Sequence, residues 1–337
     1  MPWGTVTLND GRKLPEIGWG SWKTGSGAVV VNQVEQAIET GFSHIDTAQM
    51  YGNEAEVGKG IRESGLESGK EIWLTTKWSG AGGKTIQQSI HESLEKLGVK
   101  AVDLYLIHSP RLTGGDPAGS WREFEELKKQ GLSRSIGVSN FGIAELETIR
   151  LAGLSTPSVN QVCPSISFLS LFSLFSLFFL FSLVEFSSPV QAKLIIKFAT
   201  HSQILLHPYV WARQAPLVAY HQAHGIVTES YSSLTPVTHP GGPLDGPLKR
   251  ISEAHGATPA AVLFAWCRVK GAVIVTTSRS KERLEDYLHA GDLELSEEDI
   301  KDIDEAGAKF KVHQIARRAA WLTLAAGAFV GLKWVLA

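Results

Sequence analysis

Cysteine is almost missing from this chain. Cys163 and Cys267 are the only two in 337 residues, and neither has the neighbours of a metal-ligand motif. That excludes a disulfide framework and a thiolate metal site, and it fits unpaired thiols in a reducing, cytoplasmic setting. An excess of one charge is missing too: 32 Lys plus Arg face 34 Asp plus Glu, for a formal net charge of -2. Nothing in that balance argues for nucleic acid as a partner. The N-terminal stretch Met1-Pro-Trp-Gly-Thr5 has neither a basic region nor an apolar run, so no secretory leader is expected.

Two nucleotide fingerprints also fail. Gly25-Ser-Gly27-Ala-Val-Val30 has valine where a dinucleotide fingerprint needs its last glycine. Gly83-Lys84-Thr85 ends like a phosphate-binding P-loop, but Trp78 stands where the first glycine belongs. An open nucleotide-binding sheet is therefore set aside.

What is present is a long alternation of strand and helix patterns. With 43% hydrophobic residues the chain can bury a large core. Val6-Thr-Leu-Asn9-Asp10-Gly11-Arg-Lys-Leu14 reads as a hairpin, because Asn-Asp-Gly accepts the positive φ of a tight turn. Ile17-Gly-Trp-Gly20-Ser21-Trp22 is a first strand. Helical spacing of apolar residues then predicts helices near 29–40, 53–63, 84–97, 119–129 and 142–151, as in Ile86, Ile90, Leu94 and Leu97. Short apolar runs near 43–46, 72–77, 103–107, 133–138, 158–161, 226–230 and 272–276 complete eight strands. Eight α/β units predict a closed parallel (β/α)8 barrel, a TIM barrel, preceded by a β-hairpin.

In such a barrel the functional groups collect at the C-terminal ends of the strands. Three successive strands here end in Asp46, Lys77 and His108, and Tyr51 follows the first of them. Trp22, Trp78 and Trp121 are candidates for an apolar pocket wall, with core packing as the alternative for each.

These residues resemble the signatures of the aldo-keto reductases, in a fungal-type form. The resemblance rests on Gly41-Phe-Ser-His-Ile-Asp46-Thr-Ala-Gln-Met-Tyr51-Gly-Asn-Glu54, Leu106-Ile-His108-Ser-Pro110, Gly137-Val-Ser139-Asn140-Phe141, Val159-Asn160-Gln161 and His207-Pro208-Tyr209. It spans about residues 5–161 and 204–305. It implies NADPH-dependent reduction of an aldehyde or ketone, without a metal. A tyrosine is a weak acid near neutrality, with a pKa of ~10. A nearby ammonium favours its phenolate, and a carboxylate keeps that ammonium charged and in place. Tyr51, Lys77 and Asp46 match those three roles, and His108 matches the residue that orients the carbonyl. For the cofactor, Ser139, Asn140 and Gln161 match the residues that hold the nicotinamide carboxamide, and Tyr231 the aromatic stacked under the ring. Ser232 and Leu234 match positions along the pyrophosphate. Ser278, Arg279 and Arg283, with Lys281, match the loop at the adenosine phosphate. Thr277 departs from the pattern, since many members carry lysine there. The remaining cations still suit a 2′-phosphate, which implies NADPH over NADH. The alternatives are an NADPH-binding regulatory or redox-sensing barrel docked at a membrane, or an inactive product.

Two stretches break the rhythm. Residues 167–183, inside 162–203, contain only Ser, Phe and Leu. By hydropathy this is a membrane-span candidate. Those three residues can all be encoded by pyrimidine-only codons, as in the tract before a 3′ splice site, so the preferred reading of 162–203 is a translated intron. Its removal joins Gln161 to Ile204-Leu-Leu-His207-Pro208. If it is translated, it is a hydrophobic insertion after strand six, and activity is in doubt. The organisation expected is thus a reductase barrel over 1–310, interrupted at 162–203, and an apolar tail over 311–337. Ala319 to Leu332 is apolar, with Arg317 and Arg318 before it and Lys333 after it. The tail is either a membrane anchor that holds the barrel on the cytosolic side or an amphipathic terminal helix.

Overall fold

The computed structural model describes residues 3–162 and 206–310. The tail at 311–337 and nearly all of the 162–203 interruption lie outside these residues. Strands β1 (Thr5–Thr7) and β2 (Lys13–Pro15) form the antiparallel hairpin. Eight strands follow: β3 (Ile17–Gly20), β4 (His44–Asp46), β5 (Trp73–Trp78), β6 (Val102–Ile107), β7 (Ser133–Ser139), β8 (Val159–Val162), β9 (Val227–Tyr231) and β10 (Ala272–Thr276). They pair in parallel in chain order, and β10 closes on β3, so the expected (β/α)8 barrel is the fold observed. The first strand is shorter than its apolar pattern suggested, ending at Gly20 and leaving Trp22 in the loop at the mouth.

Five helices alternate with β3 to β8: α1 (Ala28–Thr40), α2 (Glu54–Glu63), α3 (Ile86–Leu97), α4 (Pro117–Lys129) and α5 (Ile143–Leu151). After the interruption come α6 (Trp211–Ala223), the short α7 (Thr235–Thr238), α8 (Asp245–His255), α9 (Pro259–Val269), α10 (Lys281–His289) and α11 (Glu297–Ala308). Helix α3 shows how local sequence fixes the limits. Thr85 accepts from the Gln88 backbone while the Gln88 side chain accepts from the Thr85 N–H, and Gly98 ends the helix in the left-handed region at φ 70°. Its buried Ile86, Ile90, Leu94 and Leu97 then face the sheet. Among the described residues, no helix is long and apolar enough to cross a membrane.

Strand periodicity of two sorts the barrel residues into two sets. Outward-facing Trp19, Ile45, Leu74, Tyr105, Ile107, Ile136, Val138 and Ile274 pack against the helices in the main core. Inward-facing Trp73, Leu104, Leu106, Val159 and Val273 form a second cluster, joined by Leu8 and Leu14 of the hairpin. The hairpin therefore plugs the N-terminal end of the lumen. It is tied down by Asn9 Nδ2, which donates to the carbonyls of Thr156 and Pro157, and by Asp10, which accepts from Lys128 and Ser135. One step further along the strands the inward residues turn polar: His44 and Asp46, Thr75 and Lys77, Gln161, Glu229. Room for them depends on missing side chains, since a Cβ on Gly18 would lie 2.6 Å from His44 Nδ1.

Candidate active site

Asp46, Tyr51, Lys77 and His108 come from three adjacent strand ends and one loop, and the structure brings them together. Lys77 Nζ donates to Asp46 Oδ1 at 2.6 Å, to the Thr47 carbonyl at 2.9 Å and to Tyr51 Oη at 3.4 Å. The ammonium thus has three acceptors, one of them the phenol. Lys77 and Asp46 are buried, at 0% and 1% side-chain exposure, so neither charge is shared with water. The ring of Tyr51 meets His108 edge-on, with centroids 5.7 Å apart.

Local geometry explains why these groups hold still. Tyr51 sits in a single 3-10 turn, Gln49–Tyr51, closed by Gly52 at φ 71°. Asn53, expected only to open α2, does something else: its amide donates to Ser21 O, Thr24 Oγ1 and Gly25 O, binding the loop after β3 to the start of α2. His108 is fixed through its backbone, its N–H donating to Trp78 O and its carbonyl accepting from Asn140 Nδ2 at 3.0 Å. Asn140 itself adopts φ 63°, a left-handed conformation that asparagine tolerates better than most residues. Burial, with the Lys77 charge second, pushes His108 down to about 3, so the ring is neutral at ordinary pH.

Gln161 and Glu229 form the layer beneath. Gln161 Nε2 donates to Asp46 Oδ2 at 2.8 Å and to Glu229 Oε1 at 2.5 Å. The amide nitrogen expected at a carboxamide is therefore directed into the lumen. Burial pushes the Asp46 carboxyl up, with Lys77 and Gln161 pulling the other way. Burial and then the Asp46 charge push Glu229 up to about 8. Glu229 is thus biased toward its protonated form, and the direct contact with Lys77 favours the anion at Asp46. His44 donates to or accepts from Thr75 Oγ1 at 3.1 Å, and burial with the Lys77 charge lowers it to about 3.

The remaining positions fall around this centre. Ser139 closes β7 and Asn140 follows it, and Tyr231 closes β9 with its ring against Trp22 at 5.6 Å. Ser232 follows at φ 59°, and Leu234 packs against the core. Ser278 is buried after β10, the strand paired on one side with β9 and on the other with β3. Arg279, Lys281 and Arg283 are exposed at the N-terminus of α10. Of the three tryptophans, Trp22 reaches the site, within 6.4 Å of Tyr51. Trp121 does not: it is fully buried, stacked on Phe124 at 6.2 Å and donating to Ser155 O. Trp78 faces outward onto the same Phe124. A cavity of about 830 Å³ lies between the loop after β6, α5 and α6; it is lined by none of the quartet and shares only Asn140 with the predicted positions.

Sequence reasoning missed Glu229, Ser79 and Asn53 as parts of the site. For the first two the signal was strand parity, since Glu229 lies two residues before Tyr231 and Ser79 two residues after Lys77. Asn53 gave no such signal, because its partners lie in a loop.

Residues 16–171 and 189–308 match the model of the Aldo/keto reductase family, leaving 172–188 unmatched. An aldo-keto reductase of Mycolicibacterium vanbaalenii is 36% identical over 312 residues, covering 91% of this chain and 94% of its own. Among solved structures, an aldo/keto reductase from Brucella melitensis superposes with a TM-score of 0.71 at 32% identity, covering 90% of this chain and 97% of that one. A single-site variant of Gox0644 in complex with NADPH gives 0.70 at 28% identity, covering 90% and 93%.

Proposed function

Because the chain belongs to the aldo/keto reductase family, an oxidoreductase family, we propose that it reduces an aldehyde or ketone to an alcohol with NADPH and that Tyr51 gives the proton. The observation that carries this reading is the position of Lys77 Nζ, 2.6 Å from Asp46 and 3.4 Å from the Tyr51 hydroxyl. NADPH, when bound, supplies the hydride to the carbonyl carbon. The chain's own groups then deal with the oxygen. Tyr51 transfers its hydroxyl proton to the developing alkoxide, and the ammonium of Lys77 stabilises the phenolate left behind. Asp46 keeps the ammonium charged and aimed, and His108 donates to the carbonyl oxygen and orients it. Solvent returns the proton to Tyr51.

The donor set fits the cofactor. Arg279, Lys281 and Arg283 make no ion pair among the described residues, so three cations at a helix N-terminus are available to a phosphate. Ser278 lies beside them. Ser139 and Asn140 would meet the carboxamide, with Gln161 left to meet it only through its amide oxygen because its Nε2 is held by Asp46 and Glu229; Tyr231 would meet the ring, and Ser232 and Leu234 the pyrophosphate. In the same reading 162–203 is a translated intron; the family match breaks inside that segment, at 172–188, and covers its two flanks. Transcript sequencing across Gln161 and Ile204 tests it, and a dominant message that retains the segment overturns it. We place the enzyme in the cytoplasm.

The test of function is NADPH oxidation against a panel of aldehydes and ketones. Turnover by the wild type and a loss of about 10²- to 10⁴-fold in Tyr51→Phe, with NADPH still bound, is the expected result. Undiminished turnover by that variant removes Tyr51 as donor.

A further inference from the structure

The hydroxyl of Ser79 lies 3.0 Å from His108 Nδ1. That hydroxyl already accepts the backbone N–H of Met50 at 3.1 Å, and the Ser79 N–H donates to Gln49 Oε1 at 3.2 Å. Ser79 is buried, at 7% exposure, so an unused hydroxyl proton would cost as much as any other buried orphan. The only acceptor in reach of that proton among the described residues is His108 Nδ1. A neutral imidazole has one donor and one acceptor nitrogen, and the partner of one fixes the role of the other. If Ser79 donates to Nδ1, the ring proton must sit on Nε2, the nitrogen left to meet a carbonyl oxygen.

We propose that Ser79 is a positioning residue for carbonyl reduction: its hydroxyl holds His108 in the Nε2–H tautomer, so that the ring donates to the substrate oxygen and does not repel it. This rests on the proposed reductase function. Met50 and Gln49 belong to the same short turn as Tyr51, so one structural unit sets both the proton donor and, through Ser79, the orienting histidine. The neutral state of His108, lowered to about 3, makes its tautomer a real choice at working pH.

Nitrogen-15 spectra of the full chain, with the His108 signals assigned by His108→Gln, test the tautomer directly. The wild type should show a pyridine-like Nδ1 and a protonated Nε2, and Ser79→Ala should show a mixture. Ser79→Thr, which keeps the hydroxyl, should restore the wild-type pattern. With NADPH and an aldehyde substrate, Ser79→Ala should lower kcat about 10- to 30-fold. In a His108→Gln background the same change should have no further effect. A wild-type ring protonated on Nδ1, or an Ser79→Ala spectrum identical to wild type, overturns the proposal. A tautomer shift with unchanged turnover upholds the hold of Ser79 on the ring and overturns the role of His108 at the carbonyl, so the two readings fail separately.

Discussion

The two ends of the barrel lumen are built from the same strands and obey different chemistry. At the N-terminal end Leu8, Leu14, Leu104, Leu106, Val159 and Val273 make an apolar floor, with Asp10 and its partners at the rim. At the C-terminal end Asp46, Lys77 and Glu229 are packed with almost no contact with water. Burial at the floor lowers free energy directly, by about 25 cal/mol per Å² of apolar surface. Burial at the mouth costs free energy and is tolerated because each charge has a partner. The floor secures the fold, and the mouth uses that security to hold groups that water would otherwise neutralise.

Substitutions can break this division. The largest effect on activity is expected from Tyr51→Phe, which should lower turnover about 10²- to 10⁴-fold with the melting temperature unchanged. The largest effect on stability should come from Lys77→Met, which leaves the Asp46 carboxylate buried without a counter-charge, costing about 3–5 kcal/mol in chemical denaturation. Adding Asp46→Leu should recover much of that stability and none of the activity. Leu14→Ala at the floor should cost about 2–5 kcal/mol and leave turnover at permissive temperature intact, the reverse pattern to Tyr51→Phe.

The pH dependence sharpens the same contrast. Glu229 is raised from 4.5 to about 8, so its contribution to stability is fully present below pH 4.5 and is lost as pH rises through about 8. Glu229→Gln should flatten that decline, between about pH 4.5 and pH 8, in thermal melts. His44 and His108 are lowered from 6.5 to about 3, so theirs is present above pH 6.5 and lost as pH falls toward 3. No floor variant should alter either slope. The smallest effect is expected from Lys128→Ala: the Lys128–Asp10 pair is partly exposed, and its loss should cost under about 1 kcal/mol by denaturant titration.

Much of this was legible in the sequence because it is local. The period of Ile86, Ile90, Leu94 and Leu97 marks a helix wherever it lies, and an Asp, Lys or His closing an apolar run marks a strand end. Glu229 was harder, because its meaning comes from Asp46 and Gln161, residues brought close only by barrel closure. The same holds for Ser79 and His108. Trp121 shows the converse limit: a large aromatic on an amphipathic helix reads alike whether it faces a pocket or Phe124. Gln161 was placed at the right strand end, but its hydrogen-bond partners could not be read from its position.

The strands on either side of the interruption are anchored independently of it. Val159 to Val162 pairs in register with β9, and Asn160 and Gln161 also pair with β7. Pro208 packs beneath Gly307 of α11, and Tyr209 stacks on Phe310 at 3.8 Å. Covalent continuity between Val162 and Leu206 is thus not what holds β8 against β9. A protease nick there should leave two fragments that stay associated.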